Sequence, residues 1–168
     1  MGCYMAQDYK STLDSIASVF KFDNENPVLK PHEKNALRLL EARCYGKQGK
    51  NNEAFKMLKN RKKVIVDKIA YWKYVGDFAN KSGKTNEAIK AFDELLTLNP
   101  SNFETYYSII ETKGLELPAD KTKLARHKLS GEDQAKLLEI LSVYSEKFPR
   151  VNSMIRISLK LVHDELFA

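Results

Sequence analysis

Apolar residues along this chain recur at the three- and four-residue spacing of a helix face rather than in strict alternation. In "DYKSTLDSIASVFKF" (8–22) the apolar positions are Leu13, Ile16, Ala17 and Phe20. In "IVDKIAYWKYVGDFAN" the face is Ile69, Trp72, Val75, Gly76 and Ala79. Similar patterns run through "FETYYSIIETKG" (103–114), "EDQAKLLEILSVYSEKF" (132–148) and "VNSMIRISLKLVHDELF" (151–167). Proline marks the gaps: "DNENPVLKPHE" (23–33) carries two, Asn99-Pro100-Ser101 stops one helix, and Pro149 closes another. Proline cannot donate the next helical hydrogen bond and disfavours helix at the residue before it. The pattern predicts an all-α chain.

The helices repeat. Gly49 and Gly83 stand 34 residues apart (83 − 49), and the same offset pairs Ala42 with Gly76, Asn52 with Asn86, Glu53 with Glu87, Ala54 with Ala88 and Leu58 with Phe92. That period and the residues Trp72, Gly76, Gly83, Ala88, Phe92 and Pro100 resemble the tetratricopeptide helix-turn-helix. The expected fold is therefore an α-solenoid of antiparallel helix pairs, about three repeats with unpaired terminal helices. Gly76, Ala54 and Ala88 are expected where helices approach closely, and Trp72 and Phe92 in the grooves between pairs. Gly49 and Gly83 are expected in the inter-helix turns, where positive φ ends a helix. The units read as a partial repeat at 1–22, repeats at 34–66, 69–100 and 103–149, and a terminal helix at 151–168. Residues 1–7 read as the stub of a first helix. Pro100 and Pro149 lie 49 residues apart, which makes the basic segment 115–131 an insertion. A chain that starts inside one pair and ends on a lone apolar helix reads as a fragment of a longer solenoid.

The turn "SGKT" (82–85) resembles the tail of a phosphate-binding loop, but the spacing excludes it. Such a loop needs a glycine five residues before Gly83, where Phe78 stands, and a preceding strand. Lys84 is then expected in solvent.

Composition narrows the function without naming it. Lys+Arg 28 against Asp+Glu 22 gives a net charge of +6, which permits a nucleic-acid or acidic partner without requiring one. The 7 Gly and 5 Pro are too few for the turns of an all-β protein. Cys3 and Cys44 form no Cys-x-x-Cys motif and suit a reducing, cytoplasmic setting. His32, His127 and His163 show no metal-ligand spacing, and no nucleophile elbow occurs. No run of 18 apolar residues suggests a membrane span. No catalytic, cofactor or metal residue is assigned, and the chain is not expected to be an enzyme.

What remains is surface. The first helices should line a concave partner-binding face with Leu39, Arg43 and Lys47, then Lys73, Asp77 and Lys81, then Tyr107 and Glu111. Asp77 among the lysines disfavours a clamp for a terminal carboxylate, as a co-chaperone would need. Two basic stretches are candidates for ribosome or RNA contact: Lys59, Arg61, Lys62 and Lys63, and Lys121, Lys123, Arg126 and Lys128. The first also suits the negative end of a helix dipole.

The order of segments adds a closer likeness. "QDYKSTL", "ALRLLEARCYGKQGKNNEAFKML" and "VIVDKIAYWKYVGDFANKSGKTNEAIKAFDELLTLNPSNFETYYSIIE" resemble the auxiliary subunit family of the NatA N-terminal acetyltransferase complex. So does "LEILSVYSEKFPRVNSMIRISLKL", at tighter spacing. The basic insertion and the short length depart from the family pattern. The resemblance implies a non-catalytic scaffold that wraps the catalytic acetyltransferase subunit and tethers it to ribosomes, with acetyl-coenzyme A bound by that partner. The alternative is a general tetratricopeptide adaptor of a co-chaperone or RNA-processing assembly.

Overall fold

A computed structural model describes residues 4–116 and 130–149, with side chains from residue 8 onward. Among them are α1 (Tyr4–Glu25), α2 (Pro31–Lys47), α3 (Asn51–Asn60), α4 (Lys68–Lys81), α5 (Thr85–Leu98), α6 (Phe103–Thr112) and α7 (Gly131–Lys147), and no strand. The all-α expectation holds. The insertion's core and the helix expected at 151–168 fall outside the described residues. The chain forms two compact units, residues 1–91 and 92–168, with α5 contributing its first half to one and its second half to the other.

Three helices end in the same way. Gly49, Gly83 and Gly114 are the only described residues with positive φ, at 79°, 72° and 87°. At each, the amide after the glycine donates back to a carbonyl five residues earlier: Lys50 to Tyr45 at 2.9 Å, Lys84 to Ala79 at 2.9 Å, Leu115 to Ile110 at 3.3 Å. The glycine amide itself reaches three residues back, to Gly46, Asn80 and Glu111. This is the Schellman cap, which satisfies carbonyls the helix leaves over and needs a left-handed residue. The sequence period singles out the first two glycines. Gly114 completes the series at a spacing of 31 (114 − 83), which a strict search at 34 passes over.

The shorter spacing has a definite origin. From Gly49 to Gly83 the chain runs through α3 and α4, of 10 and 14 residues. From Gly83 to Gly114 it runs through α5 and α6, of 14 and 10 residues. The helical totals match, so the difference of three lies in the connectors: seven residues at 61–67 against four at 99–102.

Helix starts are set by side chains. Asp67 Oδ1 accepts from the Ala70 amide at 2.9 Å, Asn102 Oδ1 from Thr105 at 3.4 Å, and Ser130 Oγ from Asp133 at 3.2 Å. Each short polar side chain thus takes an amide that the first helical turn leaves unbonded. At α2, Pro31 opens the helix and the Glu33 carboxylate accepts from the Lys30 amide at 2.7 Å.

In the first unit α1 packs on α2, α2 on α3 and α3 on α4, while α2 also packs on α4. The last contact brings together the first helices of successive repeats, as stacking requires. Its close point is Gly46, where a Cβ would lie 2.3 Å from Phe78 Cε1. Ala42, Ala54 and Leu58 have no exposed surface, and Cys44 is 3% exposed as a thiol. Burial pushes the Cys44 thiol above its usual range. In α4 the buried set is Tyr71, Val75, Gly76, Phe78 and Ala79. Ile69, expected on that face, is 48% exposed in the first turn of the helix. Trp72 is half-buried, its ring edge-on to Tyr71 at 4.9 Å, so the neighbouring Tyr71, at 1% exposure, fills the core position expected of it.

Two further readings change. α1 is one helix from Tyr4 onward, so residues 4–7 extend it instead of forming a stub of another. Of its expected face only Ile16 is buried. Ala17 is exposed, and Phe20 lies beneath the Arg38 guanidinium, 3.4 Å from its ring centre. α1 also runs through Asp23, which the sequence places in the linker. Asp23 is 4% exposed and accepts from the amides of Val28 and Leu29 and from Lys34 Nζ at 2.6 Å. The Lys34 hydrogen bond, with the Leu29 amide next, holds its carboxyl below the usual range.

In the second unit α6 buries Thr105, Tyr106, Tyr107, Ile109, Ile110 and Thr112. Phe92, Leu95 and Leu96 from α5 and Leu137, Ile140, Leu141 and Tyr144 from α7 are buried too. Tyr106 and Tyr144 meet edge to face at 6.0 Å, and the Tyr144 hydroxyl donates to Asp93 at 2.7 Å. Lys147 pairs with the other Asp93 oxygen at 3.1 Å.

Candidate partner-binding surface

A stacked helix is covered on its flanks and bare along one stripe, and that stripe is what a partner can touch. α2 buries Asn35, Ala42 and Cys44 and sets Gly46 against Phe78. Between these flanks run Leu39, half-buried, and Arg43 and Lys47, both exposed. On α4 the arc opposite the buried set carries Lys73 and Lys81, exposed, and Asp77, half-buried. Lys73 and Asp77 are also engaged within the chain. Both stripes therefore follow the four-residue rows expected of first helices.

On α6 Glu111 is exposed, whereas Tyr107, expected beside it on the partner-binding face, has no exposed surface and packs edge-on to Phe103 at 4.7 Å. The outward positions are Glu104, Ser108 and Glu111. A tyrosine reads equally as a binding residue or as core, and here desolvation decides. Burial raises the Tyr107 hydroxyl to about 12. The polar spacing of Glu104, Ser108 and Glu111 carries the signal that the tyrosine obscures.

The basic stretch after α3 is mostly engaged. Lys59, in the last turn of α3, pairs with Glu87 at 2.9 Å and lies near the Phe55 ring. That ion pair, through its hydrogen bond, lowers the Glu87 carboxyl below its usual range. Arg61 reaches Glu41 at 3.3 Å, and Lys62 stands 4.6 Å over the Trp72 ring. Lys63 is exposed. Lys121, Lys123, Arg126 and Lys128 lie outside the described residues. Lys84, expected in solvent, is half-buried with its ammonium 5.5 Å from the Phe55 ring, so the turn lysine helps cover α3.

Among the described residues no group of His, Cys, Asp and Glu is arranged to hold a metal, and no helix is long and apolar enough to cross a membrane. The assigned features are all packing residues, caps and outward stripes.

The relatives agree with this picture. The solved structure "Naa15/Naa10 bound to HypK-THB" contains a chain with the same fold over 89% of this one, at a TM-score of 0.62 and 19% identity. The N-terminal acetyltransferase A complex auxiliary subunit NAA15 of Arabidopsis thaliana is 24% identical over 159 residues, 95% of this chain. The chain spans only 16% of that relative and 21% of the solved chain. The family model described as "N-terminal acetyltransferase A, auxiliary subunit" matches residues 32–168, most of the sequence, from the second residue of α2 through α7. The chain belongs to the N-terminal acetyltransferase A auxiliary-subunit family.

Proposed function

We propose that this chain serves as a non-catalytic scaffolding stretch of a NatA-type N-terminal acetyltransferase complex, holding the catalytic subunit and helping dock it at the ribosome in the cytoplasm. The observation that carries the reading is the family match across 32–168. The rows Leu39–Arg43–Lys47 and Lys73–Asp77–Lys81 offer the catalytic subunit a ridged, charged surface. In the second unit α6 carries a polar row of its own, Glu104, Ser108 and Glu111. Acetyl-coenzyme A is bound by the partner, and the chain alone transfers no acetyl group.

The test is co-expression with the catalytic subunit of the same organism and capture of either one. A stable complex, weakened by the pair Arg43→Glu and Lys47→Glu, supports the proposal. Indifference of the catalytic subunit to this chain and to any longer protein containing it removes the proposal. Ribosome docking is read separately, by co-sedimentation across a salt series. Lys63, Lys121, Lys123, Arg126 and Lys128 are the cations to neutralise, since Lys59 and Arg61 already face carboxylates.

A further inference from the structure

The connector 61–67 does more than join α3 to α4. Four residues suffice for the equivalent join at 99–102, so three of its seven are surplus to connection. Its side chains alternate: Val64 is 62% exposed, Ile65 1% and Val66 67%, and Ile69 follows at 48% on the first turn of α4. Apolar side chains in water across such a short stretch are unfavourable unless something covers them.

The segment is also held in shape. Ile65 anchors it in the core, and Arg61 ties its start to Glu41 at 3.3 Å. Lys68 Nζ donates to the carbonyls of Lys62 and Ile65, and Asp67 caps α4. The valines are thus presented on a pinned backbone, which lowers the ordering cost of binding. The cations beside Val64 are Lys62, set over Trp72, and Lys63, both exposed. Among the described carboxylates in the connector's surroundings, Glu41 is paired with Arg61, while Asp67 is taken up as the cap of α4, accepting from the Ala70 amide.

We propose that the strip Val64, Val66 and Ile69, flanked by Lys62 and Lys63, is a docking surface for a segment of another protein that carries apolar side chains flanked by carboxylates. Val64 and Val66, two residues apart and both exposed on either side of the buried Ile65, suit the alternate side chains of an extended partner. The lysines select its acidic flanks. The inference does not depend on which assembly the chain serves.

The probe is a fluorescein-labelled peptide with a leucine pair flanked by glutamates, beside the same peptide with lysines for glutamates, each titrated into the full chain by fluorescence anisotropy. The glutamate peptide is expected to bind and the lysine peptide not to. Val66→Asp should weaken binding about tenfold, as a charge in an apolar contact does. The pair Lys62→Glu and Lys63→Glu should reverse the preference. All these positions are exposed, and unchanged far-ultraviolet circular dichroism shows that each variant folds. Equal binding of both peptides, or none, overturns the proposal. So does a polyuridine RNA or an anionic vesicle binding through Lys62 and Lys63 with no effect of Val66→Asp. Sedimentation showing a dimer of this chain that Val66→Asp dissolves would assign the strip to a second copy instead.

Discussion

At Gly46 the fold depends on a missing side chain. A Cβ there would meet the buried Phe78 ring at 2.3 Å, so the ring or the two helices must move. Alanine is the better helix former by about 1 kcal/mol, but overpacking costs about 1–3 kcal/mol. Gly46→Ala should therefore lower the urea midpoint, and adding Phe78→Leu should restore part of the loss. Gly83 is the opposite case: nothing lies within 4 Å of its Cβ position, and the cost is conformational. With φ at 72°, Gly83→Ala should cost about 1 kcal/mol, and Gly83→Asn clearly less, in the same denaturation measurement. Asp23 adds a pH signature. Its carboxyl is held low in the folded chain, so its contribution is complete above the ordinary carboxylate range and lost as pH falls through the depressed value. Urea midpoints measured from neutral pH into acid should decline less steeply for Asp23→Asn than for the parent.

Between elements, the aromatic contacts on α6 and α7 set an alkaline limit. Burial raises the hydroxyls of Tyr106 and Tyr107 to about 12, and burial with the Asp93 contact raises that of Tyr144 further. The unfolded chain ionises its tyrosines near 10, so it releases protons first and stability falls as pH climbs from there. Tyrosinate absorbance should show a late-titrating group that appears together with loss of helix. Tyr144→Phe removes one hydrogen bond and should cost about 0.5–1.5 kcal/mol at neutral pH while blunting the alkaline loss. This level was only partly legible beforehand. Periodicity located the helices because a buried face imposes it. It could not rank Tyr71 over Trp72, or Tyr107 as core and not contact, since an amphipathic ring suits either place. Gly46 and Gly114 carry no periodic signal for a different reason: the first matters through a contact distant in sequence, and the second follows a connector three residues shorter. The exposure of Arg43, Lys47, Lys73 and Lys81 follows from their four-residue spacing, because stacking leaves one stripe of each first helix bare.

For the whole molecule, the chain belongs to the N-terminal acetyltransferase A auxiliary-subunit family, and its own residues point to contact surfaces. Binding to a catalytic subunit should then be sensitive to Arg43 and Lys47 and insensitive to Lys59, whose charge is already matched within the chain. Reversing Lys59 should instead show in stability, through Glu87. Cys44 offers a way to watch the assembly. Its sulfur is sealed between helices, so a thiol reagent can reach it only when α2 parts from its neighbours. With Cys3 replaced by serine, the rate of labelling becomes a clock for that breathing motion. A partner that clamps the array should slow the clock even where it never comes near the sulfur.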